Sequence, residues 1–462
     1  MLSLYDSFRG RRRQFLQVGS LALGGLTLPQ LLAANAAAAT GNAAVKDRSV
    51  VFLFLHGGPS QIETFDPKLT APAGIASVNG EVSTKTAGVT FGGTFPRLAS
   101  LSDRLTIVRS FTTGDGNHDI KPIVSKHSSQ ANLGTLYARV AGANQPRGGL
   151  PTNVALFPRA VDESTQPETN SFGRFTSDGG LGSGYAPFVP GAGGDLQSDM
   201  QLNIERTRVD DRRALLASLD GARRTFDGRA SDGVLPELQA QAFETILGGA
   251  AEAFNLDRED AATIERYDTA PLVRPDQIDR KWNNYNNYVD NAKSLGKLLL
   301  LARRLCERGC GFVTVTTNFV WDMHSDVNNA GVEEGMRYMG HPLDHAVSAF
   351  LEDIEDRGLS DKILLVVCGE MGRTPRINSK GGRDHWGGLA PLLLSGAGFS
   401  DGRVIGQSTR DAGEPLSEPI RIPNLVSTVM HSLLDISELR LQRGVPNEIM
   451  QAAAADPLSH FA

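Results

Sequence analysis

The sequence predicts an α/β fold: a mostly parallel central sheet flanked by helices and carrying a helical insertion. Three observations support this. First, six short runs are apolar or β-branched without alternation: Val50–Leu55, Leu105–Ser110, Asn153–Pro158, Gly311–Thr317, Ile363–Gly369 and Pro391–Gly396. Continuous rather than alternating hydrophobicity marks strands buried on both faces, as in a parallel sheet covered by helices. Second, helical patterns fall between these runs. Asp290 to Arg308 places Leu295, Leu298, Leu299, Ala302 and Leu305 on one stripe, and Leu343 to Arg357 does likewise before a capping Gly358. Third, the runs end in polar, glycine-rich segments, as strands do when they feed loops at a sheet edge.

Two stretches break this rhythm. Residues 160–200 are rich in Gly, Ser, Asp and Pro and read as long loops, whereas 202–268 are charged and helical with a break at Gly228 to Pro236. Together they predict an insertion over 160–270 in a single domain of residues 40–462. Asn283 to Tyr288 reads as a helix start.

Residues 1–39 form an address. Arg11-Arg12-Arg13-Gln14-Phe15-Leu16 is a twin-arginine core, followed by an apolar run and small residues near Ala34-Asn35-Ala36. Gly24, Gly25, Pro29 and Asn35 interrupt the run, which argues against a permanent span of ~20 apolar residues. The expectation is delivery by the twin-arginine export machinery to the periplasm or beyond. This leader holds four arginines against one aspartate, so the chain's net charge of −6 becomes about −9 without it. An acidic surface with no later Lys/Arg block excludes phosphate-driven nucleic-acid binding. Cys306, Cys310 and Cys368 are too few for a disulfide framework and read as buried small hydrophobes.

The strand ends carry the chemistry. His56-Gly57-Gly58-Pro59-Ser60 follows the first run, where the two glycines let the chain turn and expose His56 as a metal ligand or general base. Asp115-Gly116-Asn117-His118-Asp119 follows the second, with His127 further on; which hydroxyl there would act as nucleophile is open. Asp322 and His324 flank one residue, so on an extended segment both point the same way and can share a metal. Glu370 stands one residue past its strand, and Arg373 has the planar fork that suits an oxyanion. Asp384 and His385 adjoin on a glycine-flexed loop, so one is a partner of the other where both do not ligate. Gly398-Phe399-Ser400-Asp401-Gly402 fits an esterase elbow, but a strand-like segment follows it where that motif needs a helix.

These motifs, in this order, resemble the bacterial domain of unknown function 1501 family. They are Phe52 to Gln61 with Thr64-Phe65-Asp66-Pro67, Gly116-Asn117-His118, Trp321-Asp322-x-His324, Gly369-Glu370-x-Gly372-Arg373-Thr374-Pro375 and Gly382-Arg383-Asp384-His385-Trp386. That family is similar to the alkaline phosphatase-like superfamily, which includes sulfatases and phosphoglycerate mutases. The resemblance implies an exported hydrolase of phosphate or sulfate esters that depends on a divalent metal (Zn, Ca, Mg or Mn) and acts on a small-molecule or carbohydrate ester. It implies metal ligands among Asp322, His324, Glu370, Asp384 and His385, and proton carriers or oxyanion partners in His56, His118 and Arg373. Glu370 and His56 stand where relatives place aspartates, and no Cys/Ser-x-Pro-x-Arg nucleophile motif is present. The competing expectation is a non-catalytic secreted scaffold that keeps the fold.

Overall fold

The computed structural model describes residues 42–146, 148–191, 208 and 250–458. Seven strands build the main sheet: β1 (Ser49–Phe54), β2 (Thr106–Val108), β3 (Asn153–Leu156), β4 (Phe312–Val315), β5 (Ile363–Cys368), β6 (Leu392–Ser395) and β7 (Val404–Ile405). Their spatial order is β7-β2-β6-β5-β1-β4-β3. β1 lies parallel between β4 and β5, β3 is parallel to β4, and β7 is parallel to β2. Only β6 runs against its neighbours β5 and β2, so six of the seven strands share one direction.

The unbroken apolar runs have a direct structural cause. Along β1, Val51 and Leu53 enter one core with Leu298, Leu301, Val347 and Phe350, while Val50, Phe52 and Phe54 enter the other with Leu425, Val429 and Leu433. The first core lies under α2 (Tyr285–Glu307) and α3 (Val332–Asp356). The second lies under α1 (Leu133–Ala141) and α4 (Ile422–Leu433). Each such fully buried aliphatic or aromatic side chain contributes roughly 1.5–3 kcal/mol relative to exposure, so charged residues are absent from β1, β4 and β5 and appear only beyond their ends.

All six runs read from the sequence form strands, with ends trimmed by one or two residues. The helix expected from Leu343 begins eleven residues earlier, at Val332. Gly335, Gly340 and Pro342 disguised its first turns. Gly340 is required because a Cβ there would sit 2.6 Å from Thr94 Oγ1. Gly358 ends α3 in the left-handed region (φ 65°), as read from the sequence. All three cysteines are free and buried.

The leader 1–39 lies outside the described residues, as does most of the insertion. Its described part is loop up to Gly191 and then the short helices Ala251–Phe254 and Ala261–Tyr267. The second helix packs on α3 by a hydrogen bond from Tyr267 Oη to Asp353 Oδ2 (2.9 Å). Among the described residues, no helix is long and apolar enough to cross a membrane.

Candidate metal centre

The site is assembled where β1, β4 and β5 end at the same edge. Backbone N–H groups of Val320 and Trp321 donate to the carbonyl of His56 (3.1 and 3.0 Å), stitching the segment after β4 to the end of β1. Gly57, at φ 116°, makes that approach possible. A Cβ there would lie 2.5 Å from the backbone nitrogen of Asp322, so only glycine fits. After β5 the chain forms a tight hairpin of Gly372–Arg373 with His385–Trp386, and antiparallel register places His385 opposite Arg373. The loop carrying His118 is laid on this hairpin: Gly114 N–H donates to Gly387 O (3.0 Å), and a Cβ added at Gly116 would lie 3.0 Å from the Cβ of His385.

These contacts bring three nitrogen and oxygen donors together. His118 Nε2 lies 3.0 Å from His385 Nε2 and 3.5 Å from Asp322 Oδ2, and His385 Nε2 lies 3.2 Å from Asp322 Oδ1. All the donor atoms of this trio fall within 4.8 Å of one another. For a tetrahedral ion with bonds of ~2.1 Å, neighbouring ligand atoms stand about 3.4 Å apart, and the three separations lie near that value, with the two histidines meeting different oxygens of the Asp322 carboxylate. Two imidazole nitrogens 3.0 Å apart beside a carboxylate need a proton or a cation among them. The donor set therefore fits a borderline divalent ion held by His118, Asp322 and His385.

Asp322 is the hub. It is 3 % exposed, so burial on its own would raise its pKa. Hydrogen bonds from His118, His324 and His385 and the charge of Arg373 outweigh this and hold the carboxyl far below the usual carboxylate range. Asn329 Nδ2 adds a bond to Oδ2 (3.1 Å). Burial would likewise lower His118, but its hydrogen bonds to Asp322 and Glu370 reverse the sign and raise it.

The structure separates the expected site residues by role. His118 and His385 join Asp322 in the trio. His324 is beside it but already engaged on both nitrogens: Nδ1 is 2.7 Å from Asp322 Oδ1 and Nε2 is 3.2 Å from Asp326 Oδ2. Glu370 is fully buried and meets His118 Nδ1 at 3.1 Å, while its Oε1 and Oε2 accept from Gly57 N–H at 2.9 and 3.2 Å.

Two expectations are corrected. Asp384 does not reach the trio, because strand alternation sends it to the face opposite His385, where Asn378 Nδ2 donates to it (2.9 Å) in the open. Arg373 does not face a substrate. It is fully buried, donating from Nε to Gly58 O (2.7 Å), from Nη1 to Arg383 O (3.3 Å), and from Nη2 to Gly57 O and to Asp322 Oδ1 (2.7 Å). Its work is to hold the carboxylate in place.

His56 lies 1 % exposed, with neither ring nitrogen hydrogen-bonded among the described residues and with Phe54, Phe172, Phe175 and Phe319 around it at centroid distances of 5.1–5.9 Å. Burial lowers its pKa and keeps it a neutral ring. His127 sits in a separate short turn, Lys126–Ser128. In the loop before it, Asp115 and Asp119 pair with Lys121 (2.7 and 3.3 Å) rather than joining the trio. Ser400 caps a turn by accepting from Gly396 N–H (2.7 Å).

Sequence reasoning missed Asp326, although Asp322-x-His324-x-Asp326 repeats with the period of an extended chain. It also missed Phe172 and Phe319, which stack at 4.6 Å and wall off His56 and His118. Nothing in the glycine-rich segment around Phe172 signals this.

The family described as "Protein of unknown function (DUF1501)" matches residues 47–444. No curated protein matches the chain. Among solved structures, a sulfatase (PsFucS1) from a Pseudoalteromonas species aligns at 13 % identity over 86 % of this chain and 69 % of its own, with a TM-score of 0.36. The phosphonate monoester hydrolase SpPMH from Silicibacter pomeroyi aligns at 11 %, over 90 % and 76 %, with 0.34. The lipoteichoic acid synthase LtaP from Listeria monocytogenes aligns at 9 %, over 81 % and 74 %, with 0.30. At such identities and TM-scores these likenesses transfer no chemistry to this chain.

Proposed function

We propose a function for a chain that belongs to the DUF1501 family: it is a metal-dependent hydrolase of phosphate or sulfate esters, exported by the twin-arginine route to the periplasm or beyond. The observation that carries the reading is the convergence of His118, Asp322 and His385 at the carboxyl edge of a mostly parallel sheet, where such folds place their ligands. Bound there, a divalent ion would supply Lewis-acid polarisation of an ester oxygen and a lowered pKa for a water or hydroxyl.

The chain's own residues do the rest. Asp322 gives the site its negative charge and stays ionised through its three histidines and Arg373. Arg373 and Asn329 fix the carboxylate's orientation. His324, bonded between Asp322 and Asp326, is placed to hold a proton beside the site and release it toward solvent, since its side chain remains a quarter exposed. The Phe172–Phe319 pair excludes water from one flank and so strengthens every charge interaction there.

The test is elemental analysis of protein exported by a twin-arginine-competent host, with assay of phosphate and sulfate monoesters. The reading predicts bound metal, and turnover that is lost in His118→Ala and His385→Ala. A metal-free protein on which both variants act like wild type would point to the scaffold function instead.

A further inference from the structure

Glu370 and His118 make a contact that the proposed function leaves unassigned. Glu370 is 0 % exposed, and the contacts of its carboxylate are Gly57 N–H (2.9 and 3.2 Å) and His118 Nδ1 (3.1 Å). A carboxylate only accepts hydrogen bonds, so the hydrogen of that contact belongs to the ring. In the neutral imidazole this places N–H on Nδ1 and leaves the Nε2 lone pair free. Nε2 is the atom that lies 3.0 Å from His385 Nε2 and 3.5 Å from Asp322 Oδ2. The opposite tautomer would set the Nδ1 lone pair against the carboxylate oxygen of Glu370 with no hydrogen between them.

We infer that Glu370 is a positioning residue rather than a metal ligand: clamped by Gly57, it fixes the Nδ1–H tautomer of His118 and thereby presents Nε2 to the ion. Both of its near partners argue for this division. Gly57 N–H engages both oxygens, and the remaining contact points away from the trio, to the far nitrogen of the His118 ring. A carboxylate behind a ligating histidine raises the basicity of the ligand and fixes its plane, and loss of such a partner weakens metal affinity by roughly 10–100-fold. The inference rests on the metal-centre reading above for its affinity arm and on geometry alone for its tautomer arm.

Glu370→Gln separates the possibilities because it preserves volume. Because one oxygen, Oε1, meets both Gly57 N–H (2.9 Å) and His118 Nδ1 (3.1 Å), the uncharged amide either keeps its oxygen there as a weaker acceptor or turns its NH₂ toward Nδ1, and both orientations reduce the preference for Nδ1–H. The experiment uses the full chain and reads two quantities. One is the ¹⁵N signature of the His118 ring in metal-free protein at alkaline pH. The other is Zn²⁺ and Mn²⁺ affinity by chelator competition, with thermal melting as a control for folding.

Expected are an Nδ1–H signature in wild type, a shift toward Nε2–H in Glu370→Gln, and ion affinity about 10–100-fold weaker. Glu370→Asp, which keeps the charge but shortens the reach, should shift both readouts the same way and serves if the glutamine variant does not fold. A tautomer unchanged by either substitution overturns the inference. So does loss of ion binding as complete as in His385→Ala, which would make Glu370 a ligand. If wild type takes up no ion, the metal-centre reading falls, and the tautomer readout still decides the role of Glu370.

Discussion

Two of the buried polar networks among the described residues are built on opposite principles. Between α2 and α3, Arg303 donates to Asp353 (2.8 Å), Glu259 (2.7 Å) and Glu307 (2.8 Å). Arg357 reaches the same three acids (2.8, 3.2 and 3.3 Å), and Arg304 joins Glu259. Three arginines meet three carboxylates, and Tyr267 closes the remaining acceptor on Asp353. At the sheet edge, by contrast, Asp322 is shared among three histidines and an arginine, two Nε2 atoms face each other, and His56 has no hydrogen-bond partner among the described residues. A network whose donors and acceptors match is a bracket. One whose nitrogens and oxygens converge needs a proton or a cation among them.

That difference can be broken from the bracket side first. Arg303→Met leaves Glu259 and Asp353 short of a buried partner and should destabilise the fold by about 3–5 kcal/mol. Urea titration would measure this loss, while ion affinity of the folded fraction stays unchanged. Equal loss of affinity would mean that the two regions are coupled.

Asp344 sharpens the contrast, being a buried acid served, among the described residues, by the backbone N–H groups of Arg97 (3.1 Å) and Leu98 (2.8 Å). Burial pushes its pKa up to about 6, against the opposing pull of those bonds. A raised carboxyl favours the protonated fold, so its contribution is complete below the unfolded value near 3.8 and is lost as pH rises through 6. The linked change is about 3 kcal/mol. Asp344→Asn should flatten the stability–pH profile between those limits. A profile that keeps its slope would assign it to other groups.

Gly57→Ala acts at the site's frame. Its left-handed backbone and the 2.5 Å approach to Asp322 predict a loss of about 1–3 kcal/mol, measured by melting, together with weaker ion binding as Asp322 is displaced. Smallest in stability is His385→Ala. The ring is about a third exposed, and its removal relieves a crowded trio, so folding should change by less than about 1 kcal/mol. Chemical denaturation of the metal-free protein checks this. A bracket residue at the same depth would not behave so.

How much of this was legible beforehand follows the same division. The sheet was readable because β1, β4 and β5 are buried on both faces and so carry no charged residue until they end. Asp322 and His385 stood out as expected metal ligands and His118 as an expected proton carrier, all in polar segments that follow apolar runs; that His118 rather than His324 joins the trio was not readable from the residues. What the sequence hid was direction. Arg373 looks like an oxyanion ligand by type, yet the fold points it at the carbonyls of the turn after β1 and at the Asp322 carboxylate. Asp384 and His385 are adjacent, and only the two-residue strand shows that they face opposite ways. The first turns of α3 were masked by glycines whose reason, the approach to Thr94 at Gly340, lies over two hundred residues away in sequence.

The central claim is that His118, Asp322 and His385 hold one divalent ion. Its most direct test is calorimetric titration of metal-stripped full-length protein with Zn²⁺ and Mn²⁺, for wild type and for His385→Ala. The account predicts a single saturable site per chain in wild type and no measurable uptake in a variant that remains folded. Equal uptake by both proteins, or none by wild type, would contradict it.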